Sequence, residues 1–151
     1  MRVRLPGRGP TRRPAAAVIE FAVVIPVLLM FVLGIIEYGR MLMVAQVTTN
    51  ASREGARYAV QADTTATGVD TYVRGYLKSA SVPDAAVTTV ALEYQDSAGN
   101  WQTCTGPSTL TAGTQVRVRV EIDFSKVSWL PSTVFVPSGT LLKGTTIMRK
   151  E

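Results

Sequence analysis

Histidine is missing altogether from the 151 residues, and cysteine occurs once, at Cys104. No His-dependent catalytic triad and no His-ligated metal site can be built from such a chain, and no disulfide can close within it. There is also no G-x-S-x-G elbow, no Walker loop and no carboxylate cluster with metal-ligand spacing. These gaps remove much of ordinary enzyme chemistry, and neither a catalytic residue, a metal nor a cofactor is expected. The net charge of +5 belongs to the N-terminus, where Arg2, Arg4, Arg8, Arg12 and Arg13 supply all of it. The rest of the chain is balanced, so nucleic acid is not an expected partner.

What is present begins with a long apolar run. Residues 1 to 14 are mainly Arg, Gly and Pro, have little to bury, and read as a disordered leader. Ala15 to Ile36 then holds 22 residues with a single charge, Glu20. As a helix rising about 1.5 Å per residue it covers roughly 33 Å, close to the roughly 30 Å of a bilayer's hydrocarbon core. The arginines before it outweigh Arg40, Arg53 and Arg57, which Glu37 and Glu54 offset, so the N-terminus is expected to be cytoplasmic and the bulk of the chain outside. A removable secretory signal shares the basic start, but its core is shorter, about 7 to 15 residues, and ends at a small-residue cleavage site that is not found here.

Helix is expected to continue to about Val60, with Met41, Ala45, Thr48, Ser52, Gly55 and Ala59 forming a stripe of mostly small residues on which a sheet or helix can pack. "QADTTATG" (61–68) reads as a polar linker, and Val69 to Ser79 as a short helix with Val69, Tyr72, Val73, Tyr76 and Leu77 on one face, stopped by Pro83. Beyond it the signals are strand and turn. "VTTVALEYQ" (87–95) and "WQTCT" (101–105) flank "DSAGN", a hairpin with Gly99 at the positive φ. "TQVRVRVEIDF" (114–124) alternates with period two, placing Val116, Val118, Val120, Ile122 and Phe124 on one face. "SWLPSTVFVPSG" (128–139) reads as a loop, and residues 140–151 as a last strand. The fold class is therefore α+β: a long N-terminal transmembrane helix continuing into a small exported domain with a short helix and an antiparallel sheet.

Glu20 is the puzzle of the apolar run, since a carboxylate within a spanning helix costs roughly 2.5 to 3.5 kcal/mol at the centre. Two readings stand. Glu20 lies only about 7 to 8 Å in by helical rise and can snorkel to the cytoplasmic surface. Alternatively it meets a positive charge in the membrane, which no Lys or Arg between Ala15 and Ile36 supplies but a new α-amine created by cleavage upstream would.

"AAAVIEFAVVIPVLL" followed by "GIIEYGRMLMVAQVTTNASREGARYAV" resembles the TadE-like proteins, minor pilin-like subunits of the tight-adherence (Flp) pilus machinery, which are related to type IV pilins. The resemblance covers residues 12 to 60, with the ending "TTIMRKE" consistent with it. It implies that a membrane-embedded prepilin peptidase removes a basic leader of residues 1–15 between Ala15 and Ala16, so that Glu20 becomes the fifth mature residue. Glycine is the family's preference before the cut, and here Ala15 stands there. A transmembrane helix of 16–36, its extramembrane continuation over 37–60 and an exported domain of 61–151 follow. The implied partners are other pilin and pseudopilin subunits, the prepilin peptidase, the pilus assembly platform of the inner membrane, and membrane lipid. Glu20 would then pair with the amine of a neighbouring subunit and set the register between helices. The alternative is an uncleaved single-pass anchor carrying a binding module of the cell envelope; a secreted hydrolase behind a signal peptide is disfavoured by the missing histidines.

Three further features carry two readings each. Pro26 cannot donate to the Ala22 carbonyl, and is either a tolerated kink or a functional hinge. In "REGARY", Arg53, Glu54 and Arg57 are a solvated face with Glu54 near Arg57, or a contact with a partner subunit. Gly55 among them costs about 1 kcal/mol in a helix, which favours close packing there. Cys104 reads as a half-buried strand residue more than a nucleophile, and Tyr72, Tyr76, Tyr94 and Trp101 as core or edge packing more than a ligand platform.

Overall fold

The computed structural model describes residues 13–61, 64–130 and 135–150, with side chains from residue 17 onward. Residues 1–12 of the expected leader, the side chains of Ala15 and Ala16, and parts of the expected linker (62–63) and loop (131–134) lie outside the described residues. The chain is α+β and divides into two units, Met1–Ile36 and Glu37–Glu151.

Helix α1, Arg13–Ala59, runs uninterrupted through Pro26. Within the first unit its side chains from Ala17 to Ile36 are exposed, apart from a partly covered Gly34. This is the one helix among the described residues long and apolar enough to cross a membrane. Helix is also the form such a run must take in hydrocarbon, because it satisfies every interior backbone N–H and C=O within the segment.

The second unit is built on α1 from Glu37 onward. Helix α2 follows at Ala66–Ser79, then strands β1 (Val87–Gln95), β2 (Trp101–Thr103), β3 (Gln115–Asp123) and β4 (Leu141–Arg149). The sheet is antiparallel throughout, in the order β2-β1-β3-β4. Its register follows the alternation of β3: Val116, Val118 and Val120 stand opposite Tyr94, Leu92 and Val90 of β1, and opposite Met148, Thr146 and Gly144 of β4. Val116, Val118, Val120, Ile122 and Phe124 are completely buried, in one core with Val44, Ala51, Ala56 and Ala59 of α1 and Val69, Val73 and Leu77 of α2. Gly99 has φ +85° in the β1–β2 turn, and the Asp96 carboxylate accepts the N–H groups of Ala98 (3.0 Å) and Asn100 (2.8 Å).

Two expectations shift. Helix α2 starts three residues before Val69, because the Thr65 hydroxyl caps it by accepting the Gly68 N–H at 3.1 Å; such a cap contributes typically about 1 kcal/mol. The end of the stretch read as linker is thus a helix start. On α1, Ala45 is only partly buried and Val44 takes its place in the core, with Ala51 and Ala56 completing a stripe wider than the small residues alone suggest.

Two glycines set how closely the layers approach. A Cβ on Gly55 would lie 2.6 Å from Val73 Cγ2 and 3.2 Å from Val118 Cγ1, so α2 and β3 both press on α1 there. A Cβ on Gly144 would lie 2.5 Å from the Thr48 carbonyl oxygen, backbone against backbone. Next to it the hydroxyls of Ser52 and Thr146 are 2.8 Å apart and join α1 to β4.

Candidate functional site

The residues singled out by the sequence lie along α1. Glu20 is on the exposed surface of the first unit, among Val18, Ile19, Phe21 and Val23, each about two-thirds exposed. No salt bridge involves it among the described residues. Pro26 lies on the same exposed helix, six residues on. A carboxylate on an otherwise apolar helix surface requires water, a cation or a partner if that surface enters lipid.

The "REGARY" segment separates into two kinds of residue. Gly55 and Ala56 are fully buried in the second unit, and the Tyr58 ring stacks on Tyr72 of α2 with centroids 4.6 Å apart and planes within 9°. Half of the motif is therefore packing. Arg53 and Arg57 remain exposed, Glu54 is half-buried, and no ion pair joins Glu54 to Arg57 among the described residues. Arg53 also ends a shallow groove of about 390 Å³ along α1, lined by Leu42, Ala45, Gln46, Thr49 and Asn50.

Sequence reasoning missed two residues near the start of the second unit. Glu37 is buried, 2 % exposed, and its Oε1 has no hydrogen-bond partner among the described residues. Arg40, which the sequence offered as part of the charge balance across the membrane, is half-buried: its Nε donates to the Val127 carbonyl at 2.8 Å, and its guanidinium lies 4.3 Å from the centroid of the Trp129 ring. Such a cation–π contact is worth about 0.5–1 kcal/mol when exposed. The partners are far apart in sequence, so no local pattern announces them.

Residues 15–57 match the family model of the TadE-like protein. The segment is TadE-like. The TadE-like stretch contains Glu20, Pro26, Glu37, Arg40 and Arg53 to Arg57, and points to a tight-adherence pilus context; it ends before α2 and the sheet. No curated protein and no solved structure matches the chain.

Away from α1, Glu93 on β1 receives Arg117 Nε at 2.6 Å and Arg119 at 3.3 Å, while the Arg117 guanidinium covers the Trp101 ring at 4.1 Å. On the same outer face of the sheet Glu121 of β3 pairs with Lys143 of β4 at 3.4 Å. Cys104 follows β2, is 4 % exposed, and its N–H donates to the Leu92 carbonyl at 2.9 Å. Burial pushes its thiol pKa up, with the Gly106 N–H and Lys150 opposing. Because the thiolate is the nucleophile, Cys104 should alkylate slowly with iodoacetamide near neutral pH in the folded protein and react completely in urea. Mass spectrometry of a labelling time course checks this, and equal rates in both conditions would contradict it.

Proposed function

We propose that this chain is a structural subunit of the minor-pilin or pseudopilin type, for a tight-adherence pilus or a related secretion apparatus, and that it is a peptidase's substrate instead of an enzyme. The observation that carries the reading is Glu20 on an exposed apolar helix inside a TadE-like segment. On this reading α1 crosses the inner membrane with its N-terminus cytoplasmic, a prepilin peptidase cuts between Ala15 and Ala16, and the α-amine of Ala16 in one subunit pairs with Glu20 of the next. The partners are other pilin and pseudopilin subunits and the inner-membrane assembly platform. Arg53, Glu54 and Arg57, with the groove beside Arg53, form the partner-facing side of α1, since Gly55, Ala56 and Tyr58 are spent on internal packing. An uncleaved anchor is the competing reading, and Ala15 in the place of the family's glycine is what favours it.

The topology is directly testable. Protease added to intact spheroplasts should digest residues 61–151 while a cytosolic control survives, because the arginine bias lies on the N-terminal side. Full protection of that region under the same conditions would reverse the orientation.

A further inference from the structure

Trp129 is the most exposed large apolar side chain of the Glu37–Glu151 unit among the described residues, at 74 %. The residues on either side of it, 127 to 130, are nonetheless held by specific contacts. Val127 is buried and donates its N–H to the Phe124 carbonyl at 3.0 Å, while the Ser128 hydroxyl donates to the Leu130 carbonyl at 2.8 Å and accepts the Leu130 N–H at 3.2 Å. Arg40 then holds the loop from α1 through the Val127 carbonyl and lies over the indole. Residues 127–130 thus present a largely exposed tryptophan, covered on one face by Arg40, at a defined point along α1.

That point is set by the chain. Arg40 is four residues beyond Ile36, about 6 Å further along a helix. The headgroup layer on each side of a bilayer is about 5 to 8 Å thick. Tyr38, 59 % exposed, lies between the two, and Lys126 beside the loop is exposed. Of the neighbouring acids, Glu37 is buried, while the Asp123 carboxylate accepts both the N–H and the hydroxyl of Ser125 and lies close enough to Lys126 to offset part of its charge, which leaves Arg40 as the cation at the ring.

We infer that the Val127–Leu130 loop is a lipid-interface anchor, with the Trp129 ring at the boundary between acyl chains and headgroups, and Arg40 and Lys126 toward the phosphates. An indole with an apolar body and a single N–H donor suits that layer better than either water or hydrocarbon. The inference rests on the reading of α1 as a membrane span.

The test uses the full chain reconstituted in phosphatidylcholine vesicles, with flotation after a carbonate wash as the record of insertion. The emission of Trp129 is obtained as the difference between the wild type and Trp129→Phe, which leaves Trp101 as the only tryptophan. Phosphatidylcholine brominated near the headgroup end of its chains should quench most of the Trp129 component and leave Trp101, stacked under Arg117 on the sheet, nearly unchanged. A protein that floats with Trp129 unquenched overturns the anchor and leaves the span intact, as expected if the ring docks on a protein partner. A protein that does not float overturns both.

Discussion

Gly144→Ala should destabilise the Glu37–Glu151 unit by about 2–3 kcal/mol, although it adds one methyl group to an ordinary strand position. The new Cβ would meet the Thr48 carbonyl oxygen at 2.5 Å, its carbon at 2.8 Å and the Thr49 Cα at 3.0 Å. All three are helix backbone and have no rotamer to change. Relief requires α1 and β4 to separate, which would also pull Ser52 from Thr146 and open the core around Val44 and Val120. For a unit of this size the loss corresponds to a fall in Tm of about 10–20 °C. Gly55→Ala should cost less, because its nearest neighbours are the side-chain ends of Val73 and Val118, and the gain in helix propensity of about 1 kcal/mol offsets part of the crowding. Gly75→Ala meets nothing within 4 Å on α2 and should stabilise by roughly 0.5–1 kcal/mol. Near-UV circular dichroism of the detergent-solubilised chain reads all three, and a Gly144→Ala protein melting with the wild type would contradict the close approach of α1 and β4.

Glu20→Leu should leave membrane insertion intact and abolish assembly. A snorkelling carboxylate replaced by leucine would be harmless or would improve insertion, since an expensive group leaves hydrocarbon. If Glu20 instead receives a neighbouring subunit's amine, the change strands a positive charge in lipid at every contact, and truncating one partner of a buried pair costs about 3–5 kcal/mol. That corresponds to a loss of about two to nearly four powers of ten in association. Cross-linking or co-purification with other pilus subunits, normalised to the amount in the membrane, measures it. Glu20→Gln keeps the shape and loses the charge, and should fail like leucine. Unchanged association of both variants would remove the pairing and return Glu20 to the snorkelling reading.

Much of this architecture is legible because its signals are local. The alternation of Val116 to Phe124, the "DSAGN" turn and the apolar run before Glu37, with its single charge, each state their structure within one window, and β1, β3 and α1 lie within a residue or two of where those patterns put them. Gly55 was legible too, as a helix glycine that only close packing explains. The start of α2 was not, because Thr65 in "QADTTATG" serves equally well in a loop and as an N-cap, and only the bond to Gly68 decides. Gly144 had a weak signal, a glycine inside a strand. Arg40 had none: its partner carbonyl is 87 residues away, and nothing around an arginine after an apolar run distinguishes a solvated side chain from one bound to a distant loop. The same holds for Glu37, buried by tertiary packing while its sequence neighbours Ile36 and Tyr38 stay exposed.

Pairing in trans, helix register and the pilin reading itself all depend on a free amine four residues before Glu20. N-terminal sequencing of the protein extracted from membranes of cells with an active prepilin peptidase tests this most directly. The expected sequence begins Ala16-Ala17-Val18-Ile19-Glu20, within one residue, and reverts to the full leader when the peptidase is removed. A chain still starting at Met1 or Arg2 with the peptidase active would contradict the subunit reading and leave an uncleaved membrane anchor in its place.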